Sequence, residues 1–205
     1  LTRSRGLGDV YKRQLQNKAL ELSMFLSLPA SVALIVGSEQ IISALFGYGS
    51  FDELSVSNSA NALYYFGLGL PAFALIKVFS TFFFANQDTK TPFYISLLSV
   101  ILNILISVYF FREIGFIIIP IATTISSWFN AIILFVYLKN KDLFNFNELF
   151  FAKLIKILLA SILMGIFFNY LILFFENKLI YEYNFKSFYL IPVSYTHLTL
   201  PTTVR

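Results

Sequence analysis

Lys77 is the residue whose type and position in this sequence point most directly to chemistry. It lies inside Ser57–Ala85, an apolar stretch longer than the roughly 20 residues that cross a bilayer. A charge at that depth is costly, so it usually faces a bundle interior or a water-filled cavity. There it would contact an anionic substrate or form a gating ion pair. The alternative is a lysine whose long side chain extends to the membrane surface and has no functional role.

Three polar residues in the following apolar stretches could supply oxygen ligands to a hard cation. Asn103 and Ser107 are four residues apart and therefore share one face of a helix, and Thr123 on the next helix could approach them. Amide and hydroxyl oxygens suit a cation such as Na⁺. The alternative is that these side chains only hydrogen-bond neighbouring helices to one another, as small polar residues commonly do in membranes.

Two prolines and two glycines mark places where membrane helices could bend. Pro29 lies in the first apolar stretch, and Gly67, Gly69 and Pro71 lie in the second. Proline removes a backbone hydrogen bond and glycine lowers helix propensity, so transporters use such positions as hinges or as breaks that line a site. Both residues are also ordinary in membrane helices, so close helix packing is the alternative.

Several kinds of chemistry are excluded by residue type. The sequence has no cysteine, and its one histidine is His197. Disulfides, thiolate chemistry and imidazole metal sites are therefore excluded for the segment before it. No glycine-rich phosphate loop and no nucleophile with a neighbouring base is present, so we expect neither an enzyme nor a cofactor-binding protein.

Both ends of the chain are predicted to be translated sequencing adapter rather than natural protein. Asp9–Gln14 can be encoded by a transposase adapter, and the reverse complement of the same DNA in another frame encodes Val193–Leu198. We therefore assign 1–14 and 193–205 to adapter. These ends hold five of the 15 Lys and Arg residues and one of the 11 Asp and Glu residues, so residues 15–192 are neutral. The pI of 9.2 is then no indication of a nucleic-acid partner.

The composition indicates a multi-pass membrane protein. Hydrophobic residues make up 58% of the chain and charged residues 13%, against about 25% charged residues in soluble domains. The predicted fold class is all-α, a polytopic bundle with short linkers and antiparallel neighbouring helices. The predicted spans are 20–46, interrupted at Pro29 and Gly37, then 57–85, 92–111, 115–138 and 150–175, with the start of a sixth at 188.

Lysines and arginines in the short loops predict the orientation of the spans. One side would hold Lys18, Lys90, Lys139, Lys141, Lys153 and Lys156, and the other Arg112, Lys178 and Lys186. We place the first side in the cytoplasm, so the first, third and fifth spans run outward.

A short polar segment joins the second and third predicted spans on the cytoplasmic side. Its sequence is Asn86-Gln87-Asp88-Thr89-Lys90-Thr91-Pro92. Asp88 and Thr89 favour a turn, and Thr91 is predicted to cap a helix whose first residue is Pro92. These residue types by themselves predict only a tight hairpin.

Three sequence blocks and their spacing resemble the MurJ/MviN family of lipid II flippases. The blocks are Leu28–Leu34, Phe46–Phe51, and Lys77-Val78-Phe79 followed by Gln87-Asp88-x-Lys90-Thr91-Pro92. They are similar to the family's ninth helix, the outer loop after it, and the loop that joins the tenth and eleventh of fourteen helices. The resemblance covers Leu15–Pro192, although from Phe144 onward it is one of hydropathy only.

The resemblance implies that the chain is a fragment forming most of the C-terminal lobe of a flippase, about five complete helices. Such transporters move the undecaprenyl-linked precursor of cell-wall peptidoglycan across the bacterial inner membrane, by alternating access between two helical lobes. The implied partners are this precursor, the bilayer and the N-terminal half of the same protein.

The resemblance also implies roles for single residues. Lys77 matches a position on the cavity side, and Asn103 and Thr123 match positions that bind Na⁺ in some members of the family. Ser107 stands where that Na⁺ site has a carboxylate, a departure that counts against Na⁺ binding. Na⁺ or the membrane potential would be the driving force.

Two other functions stay open at the level of sequence. A related exporter of polysaccharide lipids or drugs would share the fold, and a drug exporter of this kind would favour acidic residues in its cavity. A non-transporting membrane scaffold or an enzyme subunit would tolerate changes at Lys77 and in the hairpin.

Overall fold

The computed structural model describes the backbone of residues 2–47, 51–141, 144 and 148–181, and the side chains of 14–47, 51–141, 144 and 150–174. The six helices of this part are α1 (Thr2–Val36), α2 (Ser38–Phe46), α3 (Glu53–Ala85), α4 (Lys90–Ile114), α5 (Ile118–Asn140) and α6 (Glu148–Tyr181). No strand occurs among the described residues, which confirms the predicted all-α class. The predicted sixth span from 188 and the segment 193–205 lie outside them.

Four stretches of the described residues are long and apolar enough to cross a membrane. They are Gln14–Val36, Glu53–Ala85, Lys90–Asn140 and Phe150–Phe174. The third stretch contains two helices, α4 with 25 residues and α5 with 23, and each exceeds the roughly 20 residues that one crossing takes. The chain is therefore a multi-pass membrane protein.

The first predicted span differs from the structure at one of its two interruptions. Pro29 does not interrupt α1, which stays helical from Thr2 to Val36; membrane helices tolerate proline when neighbouring groups satisfy the freed backbone. Gly37 does mark the end of α1. The break there is a bend only, because Gly37 N–H donates to Ala33 O at 2.9 Å and Ile41 N–H donates to Gly37 O at 2.8 Å.

The connection between α4 and α5 is shorter than the sequence indicates. Residues 112–114, predicted as a linker, are the last residues of α4. Gly115 then takes φ = 75°, a left-handed conformation that only glycine adopts without strain, and a single 3₁₀ turn, Gly115–Ile117, leads into α5. The two helices are thus joined as a tight hairpin.

An aromatic core holds the helices together at the lysine-rich end of the bundle. Its nine buried members are Leu20, Phe79, Phe82, Phe83, Ile95, Leu134, Leu138, Phe144 and Phe150. The rings of Phe82 and Phe144 stack with centroids 5.6 Å apart, so Phe144, which follows α5, packs against the end of α3. Further into the membrane α3 packs between α1 and α5, and α4 packs against α5.

The chain divides into two compact units, Leu1–Gly165 and Ile166–Arg205. The helix contacts that form both grooves lie within the first unit. In the second unit the structure describes residues 166–181, which are helical, and the apolar side chains of Phe167, Tyr170 and Leu173 are exposed.

Candidate functional site

A groove of about 420 Å³ lies between α3, α4 and α5 and carries a polar stripe on two of its walls. The polar side chains are Ser96, Ser99 and Asn103 from α4, and Thr123, Ser126, Ser127 and Asn130 from α5. On each helix these residues recur every three or four positions, so they project from one face. Phe73 and Ile76 of α3 complete the groove with apolar surface.

The structure brings the three candidate Na⁺ ligands together. Asn103 Nδ2 donates to Thr123 Oγ1 at 3.1 Å, and Ser107 Oγ donates to Asn103 Oδ1 at 3.4 Å. Asn103 Nδ2 also donates to Ser126 Oγ at 3.2 Å. Ser126 was not among the predicted ligands, although its position three residues after Thr123 places it on the same helix face.

This cluster is a hydrogen-bond network between α4 and α5 rather than a set of converging ligands. Thr123 Oγ1 donates to Ile119 O at 2.8 Å and Ser126 Oγ donates to Thr123 O at 3.0 Å, so the protons of both hydroxyls are taken up by backbone carbonyls. Their remaining lone pairs accept the two N–H groups of the Asn103 amide. A cation could not share that space unless Asn103 turned its oxygen inward.

One polar atom of the groove is buried without a partner among the described residues. Asn130 is 6% exposed, its Nδ2 donates to Ser96 Oγ at 3.4 Å, and its Oδ1 has no hydrogen-bond partner. Hydroxyl protons of Ser99 and Ser127 are donated to carbonyls of their own helices. This end of the groove therefore offers acceptors, which suit a water molecule or another donor.

Lys77 does not line the groove in this chain. Its side chain is exposed, one position after Ile76 and four after Phe73 on α3. No interior contact of the described bundle holds it. The position of Lys77 deep within an apolar span still favours a functional role.

Side chains from two neighbouring helices satisfy the backbone around Pro71. Proline has no N–H, so the carbonyl four residues earlier, Gly67 O, has no partner within α3. Ser31 Oγ of α1 donates to that carbonyl at 2.7 Å. Trp128 Nε1 of α5 donates to Leu68 O at 3.1 Å. These contacts let α3 continue as one helix through Pro71, so a hinge at this place stays a prediction.

The two glycines near Pro71 allow close packing. A Cβ atom at Gly67 would lie 3.2 Å from Leu34 Cβ, and one at Gly69 would lie 3.0 Å from Thr124 Oγ1. Thr124 Oγ1 itself donates to Tyr65 O at 2.6 Å. Close approach of α1 and α5 to α3 is thus a sufficient reason for glycine at both positions.

The hairpin between α3 and α4 differs from its prediction in the residue that caps α4. Helix α4 begins at Lys90, so Thr89 and not Thr91 occupies the N-cap position, and the Thr89 side chain makes no capping hydrogen bond. Asp88 supplies the capping bonds instead, because its Oδ1 accepts Thr91 N–H at 3.0 Å and its Oδ2 accepts the Thr91 hydroxyl at 2.7 Å. Pro92 follows within the first helical turn, where a missing N–H costs little.

The end of α3 is closed by a left-handed residue that is not glycine. Gln87 has φ = 59°, Gln87 N–H donates to Phe84 O at 2.9 Å, and Asp88 N–H donates to Phe83 O at 3.0 Å. This pair of bonds is the Schellman motif, whose left-handed position is usually glycine. A glutamine there is held at a conformational cost of about 1–2 kcal/mol.

An ion pair ties the hairpin to the end of α5. Lys141 Nζ lies 2.7 Å from Asp88 Oδ2 and 5.9 Å from the centre of the Phe83 ring. The hydrogen bond from Lys141, followed by the one from Thr91 N–H, holds the pKa of Asp88 well below its usual range. Asp88 is therefore a carboxylate at any physiological pH.

Comparisons with known proteins identify the family. The model of the family described as lipid II flippase MurJ matches residues 6–191. A probable lipid II flippase MurJ of Rickettsia prowazekii is 34% identical over 188 residues, which cover 90% of this chain and 36% of that protein. The corresponding protein of Thermotoga maritima is 38% identical over 143 residues, which cover 70% of this chain and 28% of that protein.

A solved structure shares the fold. It is described as lipid II flippase MurJ in an inward closed conformation, and it matches with a TM-score of 0.61 and 24% identity over 78% of this chain and 40% of that chain. The chain thus spans about a third of the length of these curated relatives. Because the family match extends over almost the whole sequence, the chain belongs to the lipid II flippase MurJ family.

Proposed function

We propose that this chain supplies helices of the second lobe of a transporter that moves lipid II across the bacterial inner membrane. The observation that carries the proposal is the family match over residues 6–191, together with a membrane-spanning bundle of the same fold as a MurJ structure. The chain acts in transport and not in catalysis, and its partners are the lipid-linked precursor, the bilayer and the first lobe of the protein.

The substrate explains why polar surface occurs at membrane depth. A lipid-linked diphosphate and its sugars need a hydrated path, whereas the polyprenyl tail stays in the bilayer. The polar stripe along α4 and α5 and the exposed Lys77 on α3 would line part of that path. Lys77 would contact the anionic headgroup, because its ammonium group is exposed within a span that otherwise consists of neutral residues after Glu53.

Of the two candidate driving forces, Na⁺ and the membrane potential, Na⁺ is the less favoured by the residues of this chain. Asn103, Ser107 and Thr123 contribute no negative charge, and the Asn103 amide already saturates the two hydroxyls beside it. Among the described residues no group of three His, Cys, Asp or Glu side chains could hold a metal ion. As they stand, these residues do not fit a Na⁺ site.

The proposal that these residues do not bind Na⁺ is tested by introducing a carboxylate at position 107. Ser107→Asp should create a site, so NaCl should raise the thermal unfolding temperature of the variant more than equal choline chloride does. The unchanged chain should show no such difference. A Na⁺-specific stabilisation of the unchanged chain that Asn103→Leu abolishes would contradict the proposal and restore Na⁺ as a ligand.

The transport role is tested at Lys77 in a full-length protein that contains this chain. Lys77→Ala should prevent growth of cells depleted of their own lipid II flippase, while the membrane-inserted amount stays normal. Lys139→Ala is the matched control, because Lys139 is also exposed but lies in the last turn of α5 and not within a span. Normal growth with Lys77→Ala would show that Lys77 only extends to the membrane surface.

A further inference from the structure

A second groove, of about 530 Å³, lies between the first turns of the membrane-spanning parts of α1 and α6. Its charged lining consists of Lys18 and Glu21 from α1 and Lys153 and Lys156 from α6. Lys153 Nζ pairs with Glu21 Oε2 at 2.8 Å. Lys18 and Lys156 have no carboxylate partner among the described residues, so the groove carries two net positive charges and suits an anion.

The rest of this groove is apolar and lies deeper in the membrane. Its walls there are Leu22 and Phe25 of α1 and Ile157 of α6. Leu22 is 59% exposed and Phe25 is 58% exposed, so both present free apolar surface along the outside of the helices. On α1 the groove is thus charged at Lys18, near the membrane surface, and apolar one to two turns further on, at Leu22 and Phe25.

The two helices run in the same direction, which fixes the order of these surfaces along the membrane normal. Glu21 contacts Lys153, and eleven residues later Val32 lies so close to Gly165 that a methyl group on the glycine would overlap it. At 1.5 Å per residue these contacts are about 16 Å apart along α1. Leu22, Phe25 and Ile157 come after the charged residues in both helices and therefore lie between the charged end and the membrane centre.

We propose that this groove binds an anionic phospholipid of the leaflet on the lysine-rich side. The phosphate lies between Lys18 and Lys156, and an acyl chain lies along Leu22 and Phe25. A phospholipid has the same sequence of charge and apolar chain along the membrane normal, whereas a soluble anion would leave the apolar wall unused. The Glu21–Lys153 pair joins the two helices under the headgroup.

The proposal depends on the position of the groove in the bilayer and not on lipid II transport. Lysines next to an anionic membrane surface each strengthen binding about five-fold. A site differs from such diffuse attraction because only the lysines of the groove matter. Removal of Glu21 should strengthen binding, because the net charge of the groove rises from two to three.

The test measures which lipid contacts the groove in the complete 205-residue chain. Trp128 is the only tryptophan of the sequence, so Trp128→Phe combined with Phe25→Trp places a single fluorophore in the groove. The chain is reconstituted in phosphatidylcholine vesicles that contain small amounts of brominated phosphatidylglycerol or brominated phosphatidylcholine. Quenching of the tryptophan reports the local concentration of each lipid, and circular dichroism verifies that every variant is folded.

Brominated phosphatidylglycerol should quench the tryptophan fluorescence at a several-fold lower fraction of the vesicle lipid than brominated phosphatidylcholine does. Lys18→Gln and Lys156→Gln should each reduce this preference about five-fold. Glu21→Gln should increase it, a result that a purely structural role of the ion pair would not give. Lys139→Gln, on the same side of the membrane but outside the groove, should leave it unchanged.

Three results would overturn the proposal. Equal quenching by the two brominated lipids would show that no anionic lipid is selected. An effect of Lys139→Gln as large as that of Lys18→Gln would show diffuse surface attraction. An added polyprenyl diphosphate could also relieve the quenching at a concentration at which added phosphatidylglycerol has no effect. That result would assign the groove to the transported lipid.

Discussion

The hydrogen bond from Ser31 to Gly67 O should matter only because residue 71 is proline. Gly67 O is the acceptor that the N–H of residue 71 would use in an ordinary helix, and proline has none. Ser31 Oγ, 2.7 Å away on α1, replaces that donor. In a Pro71→Ala background the alanine N–H can form the bond within α3, so the loss of Ser31 should then have little effect.

The expected losses of folding free energy follow from the burial of Ser31. Ser31 is 5% exposed, so Ser31→Ala leaves a buried carbonyl without a partner. Unsatisfied buried polar groups cost about 1–3 kcal/mol, and hydrogen bonds between membrane helices contribute about 0.6 kcal/mol on average and up to about 1.7. We therefore expect a loss of about 1.5 kcal/mol when Pro71 is present and less than about 0.5 in the Pro71→Ala background, which gives a coupling energy of about 1 kcal/mol.

The assay is equilibrium unfolding of the chain in mixed micelles with increasing SDS, followed by Trp128 fluorescence. Trp128 Nε1 donates to Leu68 O, so its emission reports the separation of α5 from α3. Ser161→Ala is the matched control, since Ser161 is 2% exposed but its hydroxyl donates to Ile157 O of its own helix. Equal destabilisation by Ser31→Ala in both backgrounds would refute the reasoning.

Two further predictions concern the hairpin between α3 and α4. Gln87→Gly should stabilise the chain by about 1 kcal/mol in the same unfolding assay, because glycine adopts φ = 59° without strain; a destabilisation would mean that the glutamine side chain contributes more than the strain removes. Asp88→Asn should cost up to about 1 kcal/mol, the usual limit for an exposed pair such as the one with Lys141. Since folding lowers the pKa of Asp88, its contribution is present in full above the unfolded value of about 3.9 and is lost as the pH falls below it. The difference between the unchanged chain and Asp88→Asn should therefore be constant from about pH 5 to 8 and shrink towards about pH 3, and a change between about pH 6 and 8 would contradict this assignment.

The helix content could be predicted because long apolar runs leave few alternatives in a bilayer. The approach of Asn103, Ser107 and Thr123 was also foreseeable, since i, i+4 spacing and a tight hairpin bring adjacent faces of two helices together. Hydropathy does not show where a helix ends, however. It placed residues 112–114 in a linker, although nothing terminates α4 before Gly115 adopts its left-handed conformation.

Contacts between distant parts of the chain could not be predicted from the sequence. Pro71 indicates that Gly67 O needs a donor, but not that Ser31, 36 residues earlier, supplies it. The cap of α4 was assigned to Thr91 because threonine before proline is a common helix start, whereas the charged Asp88 accepts hydrogen bonds from the N–H and the hydroxyl of Thr91 itself. The basic groove between α1 and α6 joins residues more than 130 positions apart, and only the packing of the two helices reveals it.

Translocation of lipid II in reconstituted vesicles tests the central claim most directly. Fluorescent lipid II is placed in both leaflets, and an impermeant reductant destroys the fluorophore in the outer leaflet. We predict that vesicles containing a full-length protein with this chain lose nearly all their fluorescence, whereas vesicles with the 205-residue chain alone stop at about half, as protein-free vesicles do. Complete loss with the chain alone, or a loss limited to half with the full-length protein, would contradict the assignment of this chain to one of two lobes that transport lipid II together.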